Sequence, residues 1–285
     1  MQTTTGLFTV SDFNFPRWSA GDEFLLCPFG DVHRHNPLHN KDVWTDWKNR
    51  YSKRQNAFFI GMGDYSDLLA ASERMALLHG KFHASTRSTL DEKMQTIVDA
   101  DSEELGFMRN RLVGLIEGNH YYEFQDGTTS TQRMCRNLKC RYLGVSAFIR
   151  LGFRRSTSWT SIAVWAHHGK GASRLMGGSL NRVEQMAEAA DADIYMMGHD
   201  HKAVTGKTCK LQLVSHHSKL RLTHRTQLMI RTGSFLNGYV DGKNSYVADA
   251  ALKPTNLGAP QIRIVPKRRA VDGVEDVHIE MFGEV

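Results

Sequence analysis

A chain of 285 residues with 41% apolar and 23% charged side chains carries enough apolar mass for one sizeable core, which excludes disordered and fibrous classes. Its formal charge of +6 favours polyanionic partners, nucleic acid among them, without requiring one. Nothing in it approaches the roughly 20 consecutive apolar residues of a membrane helix, and Met1 to Val10 has neither the basic start nor the apolar run of a secretory signal.

In chain order, a short apolar run is repeatedly followed by polar, metal-capable residues. Phe24 to Phe29 leads into Gly30-Asp31-Val32-His33, and Ala57 to Ile60 into Gly61-Met62-Gly63-Asp64. Leu112 to Ile116 leads into Glu117-Gly118-Asn119-His120, Ile162 to Ala166 into His167-His168-Gly169, and Ile194 to Met197 into Gly198-His199-Asp200-His201. Runs of this length ending at glycine read as buried strands. Helical spacing separates several of them: Asn40 to Gln55 with Trp44, Trp47 and Tyr51 on one face, Leu90 to Leu112 in one or two pieces, and Leu180 to Ala190. Beyond His201, Cys209 to His216, Gln227 to Arg231 and Gly238 to Asp241 read as short strands. Gln261 to Val265 and Asp276 to Phe282 read as two more, around a turn near Asp272-Gly273. No repeat or linker divides the chain, so residues 1–285 are expected as one domain, with a core over about 22–245 and with 246–285 completing a second sheet.

Alternating strands and helices predict an α/β fold with the sheet covered on both faces. Ligands in such folds gather beyond the carboxyl ends of the strands, which is where all five polar clusters fall. Asp31 and His33 lie two apart, as do His199 and His201, so an extended backbone would send each pair to one face. Carboxylate, imidazole and amide oxygen together suit borderline to moderately hard divalent ions. Asp31, His33, Asp64, Asn119, His167, His199 and His201 are too many for one tetrahedral zinc. They suit two ions about 3.5–4 Å apart sharing a carboxylate, a clamp for displacement at phosphorus. The four cysteines (Cys27, Cys135, Cys140, Cys209) are too scattered for a disulfide scaffold, and Cys135 and Cys140 lack the second pair a zinc knuckle needs. A reduced, cytoplasmic protein with no membrane partner is expected.

The order Asp-x-His (31–33), Gly-Asp-x-x-Asp (63–67), Gly-Asn-His (118–120), His167 and Gly-His-x-His (198–201) resembles the calcineurin-like metallophosphoesterase superfamily over roughly residues 24 to 205. The resemblance implies a four-layer α/β/β/α sandwich of two mixed sheets flanked by helices, with a dinuclear site at the strand ends. It implies that Asp31, His33, Asp64 and His201 hold one metal, and that Asp64 bridges to a second completed by Asn119, His167 and His199. Between His167 and its neighbour His168, His167 is expected because it follows the strand directly and matches the family position. Mn²⁺ is the first choice of metal, with Fe, Zn, Co or Ni as alternatives. A hydroxide between the ions is the expected nucleophile. His120 is the candidate general acid and Asp67, the second acid of Gly-Asp-x-x-Asp, its partner; the competing reading of Asp67 is a cap for the helix after it.

Two departures stand out. Many relatives follow Gly-Asn-His with an acid, where this chain has Tyr121, leaving Glu123 as a stand-in. The Asp-Arg-Gly of the phosphoprotein phosphatases is replaced by Asp67-Leu68-Leu69, which argues against a protein phosphatase. The glycine-rich segment His168 to Arg182 offers Lys170, Arg174 and Arg182 as substrate-binding candidates. Its alternative reading is a surface loop entering a helix. Lys48 to Arg54 reads either as a track for a nucleic-acid backbone or as a solvated helix face. The expected activity is a phosphodiesterase acting on DNA, RNA or nucleotides. A phosphomonoesterase is the second enzymatic reading, and a non-catalytic, metal-containing nucleic-acid-binding or scaffold protein the reading from another class. Oligomeric state leaves no mark in the sequence.

Overall fold

The computed structural model describes residues 3–4, 8–156, 158–171, 173–216, 219–271 and 274–285. In chain order its elements are β1 (Thr3–Thr4), β2 (Thr9–Asn14), β3 (Phe24–Phe29), α1 (Lys41–Ser52), β4 (Ala57–Gly61), α2 (Ala71–His79), α3 (Ala84–Glu104) and a 3₁₀ turn (Leu105–Met108). Then follow β5 (Leu112–Leu115), α4 (Ser130–Leu138), β6 (Ser146–Arg155), β7 (Ser158–His167), α5 (Met176–Glu184), α6 (Met186–Ala189) and β8 (Ile194–Met197). The chain ends in β9 (Ala203–His216), β10 (Lys219–Thr232), α7 (Tyr246–Asp249), β11 (Gln261–Val271) and β12 (Val274–Glu284).

These strands form two mixed sheets, a seven-stranded one ordered β1-β2-β6-β7-β8-β10-β9 and a five-stranded one ordered β12-β11-β3-β4-β5. Their inner faces meet in one core, where Leu26, Phe58 and Ile60 of the smaller sheet pack with Ile149, Val164 and Ile230 of the larger. Phe15 anchors one end, stacked on Phe153 with ring centres 4.8 Å apart and edge-on to Phe58 at 4.6 Å. The outer face of the smaller sheet is covered by α1, α3 and α4 through Trp44, Trp47, Val98 and Met134. Over the outer face of the larger sheet lie α5 and α6, through Val183 and Met186. The result is a four-layer α/β/β/α sandwich of two mixed sheets, the expected fold class.

Helix α1 begins where Asn40 accepts a hydrogen bond from the Val43 amide at 3.0 Å, an N-cap that stops it short of the expected start. Its tryptophans stack inward, so the Lys48 to Arg54 stripe is only partly a free face: Lys48 is spent on Glu104. Glu104 ties α3 to α1 and to the first loop, accepting from Trp44 Nε1 at 2.7 Å and pairing with Arg34 at 2.7 Å. Burial pushes its carboxyl up, but Lys48 and Arg34 outweigh that and hold it below its ordinary 4.5. A depressed acid contributes stability in full above its unfolded value, and that contribution is lost as pH falls through the lower folded one. Glu104→Gln is therefore expected to cost about 1.5–3 kcal/mol at pH 7, with a gap in urea midpoint that closes at pH 3. A gap of equal size at both pH values would rule this network out as the source.

Several expected boundaries move. The run from Leu90 starts earlier, at Ala84, and ends at Glu104; the chain then turns and Leu112 opens a strand. The two short strands expected over 209–216 and 227–231 are one long antiparallel hairpin of β9 and β10, in the seven-stranded sheet. No strand covers Gly238 to Asp241; Val240 makes only an isolated bridge to Lys243. Strands β11 and β12 are longer than expected and join the smaller sheet where β11 pairs with β3, while the turn at Asp272-Gly273 lies outside the described residues. Lys267 therefore sits within a strand, paired with Glu280 at 2.6 Å. Among the described residues, no helix is long and apolar enough to cross a membrane.

Candidate metal centre and cleft

The carboxyl ends of β3, β4, β5, β7 and β8 converge at one edge of the sandwich, each delivering its cluster from a sharp turn. Asp31, His33, Asp64, His199 and His201 all have left-handed backbones, with φ between 47° and 73°. Such a conformation costs an ordinary residue about 1–2 kcal/mol and accumulates at functional sites. Glycine makes the close approaches possible. A Cβ on Gly118 would lie 2.0 Å from Asp64 Oδ1, and one on Gly63 (φ 98°) would lie 2.5 Å from His168 Nδ1.

Among the described residues three groups of ligand atoms result. Asp31, His33 and His201 have donor atoms within 4.8 Å of one another, as do Asp64, His168 and His199, and as do His33, Asp67 and His120. Asp64 links the first two, with Oδ2 3.9 Å from His33 Nε2 and 3.2 Å from His168 Nε2. Its Oδ1 is fixed by the amides of Asn119 and His120 at 2.7 and 2.9 Å. Asn119 Oδ1 lies 2.8 Å from both His168 Nε2 and His199 Nδ1. Asp31 Oδ2 accepts from the His199 amide at 2.8 Å, while its Oδ1 stands 3.7 Å from His201 Nε2.

The structure brings His168, not the expected His167, to these groups. His167 Nδ1 turns back to accept from the Gly169 amide at 2.7 Å, and His168 fills the cluster, held by Met62 O at 2.7 Å from its Nδ1. Strand alternation is the reason. Ile162, Val164 and Ala166 face the inter-sheet core while Trp165 faces out, so the next even position, His168, points where the site lies.

Electrostatics fit a cation. Asp31 Oδ1 and both ring nitrogens of His33 are buried with no hydrogen-bond partner, a costly state unless something else satisfies them. Burial raises the Asp31 carboxyl to about 6. His168 is raised to about 9: burial pushes it down, and Asp64 and Asp31 more than reverse that. Burial holds His199 and His201 low, which leaves their lone pairs free. A nest that draws a proton between its carboxylates and imidazoles is one a divalent cation suits better, and several of these His and Asp groups are placed to hold a metal ion.

Beside them, His120 Nδ1 stands 2.5 Å from Asp67 Oδ1, an ion pair without the alignment of a hydrogen bond. Burial lowers the His120 ring, but Asp67 and Asp64 outweigh it and hold it above its ordinary value. Asp67 caps no helix: α2 starts at Ala71, and the other Asp67 oxygen accepts from Asn36 Nδ2 at 2.5 Å. In place of an acid after Gly-Asn-His, Tyr121 lies under the Arg74 guanidinium at 3.8 Å. Arg74 in turn donates to the carbonyls of Asn119 at 2.7 Å and Leu69 at 2.6 Å, clamping the loop. Glu123 bridges to Thr129 through its backbone and does not line the cleft.

A cleft of about 430 Å³ opens from these groups. Of the three cations expected there, Arg174 lines it; Arg182 instead donates to the Lys170 carbonyl at 3.0 Å, and neither Lys170 nor Arg182 borders the cleft. Lys202 and Lys253 do, and no spacing in the sequence marked them. Asn36, Arg74 and Ser234, whose hydroxyl donates to the Asp31 carbonyl at 2.8 Å, were missed for the same reason.

No family model matches this chain, and no curated protein does. Among solved structures it is similar to vacuolar protein sorting 29 from Cryptosporidium parvum, at 12% identity and a TM-score of 0.36 over 92% of this chain and 99% of that one. It is also similar to Vps29 from Chaetomium thermophilum, at 13% identity and a TM-score of 0.38 over 92% of this chain and 98% of that one.

Proposed function

We propose that this chain is a metal-dependent phosphoesterase acting in the cytoplasm on phosphodiesters of nucleic acid or nucleotides, as its motif order in the manner of calcineurin-like metallophosphoesterases suggests. The observation that carries the reading is the meeting, at one cleft, of two carboxylate–imidazole groups linked by Asp64 with the Asp67–His120 pair beside them. Asp31, His33, Asp64 and His201 would hold one cation; Asp64, Asn119, His168 and His199 would hold the other. Mn²⁺ is the first choice, with Fe, Zn, Co or Ni as alternatives. Such a pair supplies, when bound, an activated water and positive charge against the phosphoryl oxygens.

The chain's own groups do the rest. Gly118 and Gly63 let the backbone close on Asp64 and His168, so the ligand side chains are set before substrate arrives. Asp67 faces the His120 Nδ1 and favours the protonated ring, which leaves Nε2 as the atom that gives the proton up. As the oxygen of water joins phosphorus and the ester P–O bond breaks, the bonding pair passes to the leaving oxygen and His120 protonates it. Asn36 keeps Asp67 from swinging away.

The test is hydrolysis of bis-p-nitrophenyl phosphate, p-nitrophenyl phosphate and single- and double-stranded DNA with Mn²⁺, each with and without EDTA, alongside metal analysis of the purified protein. Diester and DNA cleavage abolished by EDTA is the expected result. Monoester cleavage alone would replace the reading with a phosphomonoesterase, and bound metal without turnover on any substrate would replace it with a scaffold.

A further inference from the structure

The far wall of the cleft comes from neither sheet but from the segment after β10, residues 233 to 258. It is stitched in place and is no loose lid. Asn237 donates to the Leu38 carbonyl through its backbone at 2.9 Å and its side chain at 3.0 Å, and its side-chain oxygen accepts from Asn40 at 3.0 Å. Ser234 pairs with Gly258, Lys243 donates to the Pro37 carbonyl at 2.7 Å, and Tyr239 closes on the Leu252 carbonyl at 2.6 Å. This wall brings Leu236, Val247 and Leu252, with Leu38 beside them, to the cleft. Arg174 and Lys202 also line the cleft, and Lys253 comes from the same wall, next to Leu252.

The cleft thus combines the acids and imidazoles of the metal site with an apolar compartment walled by Leu38, Leu236, Val247 and Leu252. Its volume is that of a small-molecule pocket, and an apolar surface beside charged groups can hold and orient one compact substituent. A base can lie on an apolar surface by its face whatever its edge carries, and the Asn237 and Asn36 amides that could read an edge are already engaged.

Resting on the phosphodiesterase reading above, we propose that this compartment seats one nucleoside of the substrate by its apolar faces, with Arg174 and Lys253 on the flanking phosphate, so that the enzyme takes single nucleoside-bearing diesters with little regard for base identity. Paired duplex, whose bases are stacked away, is a poor substrate until its end opens.

Two measurements test this. Thymidine 5′-(p-nitrophenyl phosphate) and methyl p-nitrophenyl phosphate share a leaving group, so the ratio of their kcat/KM values isolates the compartment. The nucleoside ester should lead by at least about tenfold, similarly for other bases, and the combined Val247→Ala and Leu252→Ala change should bring the ratio towards one. Separately, with EDTA present, leucine and valine methyl NMR signals of the protein should shift on adding thymidine 5′-monophosphate and stay still with ribose 5-phosphate. A ratio near one, a ratio the double variant does not lower, or equal shifts from both ligands overturns the proposal. So does stronger competition from a short-chain phospholipid than from the nucleotide. Failure to hydrolyse either ester would sink the phosphoesterase reading instead, while the NMR titration still decides whether the compartment takes a nucleoside.

Discussion

His120→Ala is expected to keep its full metal content and lose turnover by about 10²–10⁴-fold. The ring sits 4.9 Å centre to centre from His33 and shares a third group with His33 and Asp67, but it lies outside both ligand groups linked by Asp64. Its loss takes away a proton and leaves the cation nests whole. The deficit should grow with the pKa of the leaving group: slight for p-nitrophenol, which departs unaided, and large for an alkyl or nucleoside alkoxide. Rates across a leaving-group series, with metal analysis on the same preparations, make the check. A variant that hydrolyses alkyl esters at the parental rate would show that another group donates the proton.

The paired histidines give the second large effect. On the proposed two-cation centre, His168→Ala is expected to lose one cation and at least about 100-fold in activity, by analogy with removal of a principal polar stabiliser. The neighbouring His167→Ala should retain both cations, because that ring only accepts from the Gly169 amide. Metal stoichiometry by inductively coupled plasma mass spectrometry and thermal midpoint with and without Mn²⁺ distinguish the two, since a ligand that binds only the folded state raises its stability. The reverse pattern, His167→Ala losing the metal, would restore the assignment expected from motif order.

The pair His167 and His168 illustrates what the sequence could carry. Strands β3 and β8 lie at the expected residues because each is a pure apolar run closed by glycine. The loops after the five runs were legible too, since metal-capable side chains cluster there by type. Placing His168 takes one step more, the inward–outward alternation along β7, which runs against the family position of His167. Strand β6 escaped notice because Arg150 and the Arg154-Arg155 pair interrupt its apolar pattern, although Ala147, Ile149, Leu151 and Phe153 line the inter-sheet core. The hairpin of β9 and β10 was read as fragments because Thr, Lys and Arg alternate along it. Asn36, Arg74 and Ser234 are a different case. Each acts on a residue more than 30 positions away, and such contacts exist only once the chain is folded.

The two ligand groups have one more property in common. Asp31, His33 and Asp64 issue from the smaller sheet and His168, His199 and His201 from the larger, so each group draws on both. An ion held in either nest would be a rivet through two plates. Its hold would be sensitive to any slippage between them, even slippage begun at Phe15 and Phe153 in the inter-sheet core, and a fragment carrying one sheet would have half a socket at both positions. Tight ion uptake thereby becomes a gauge of whether the halves have docked, readable without any substrate at all.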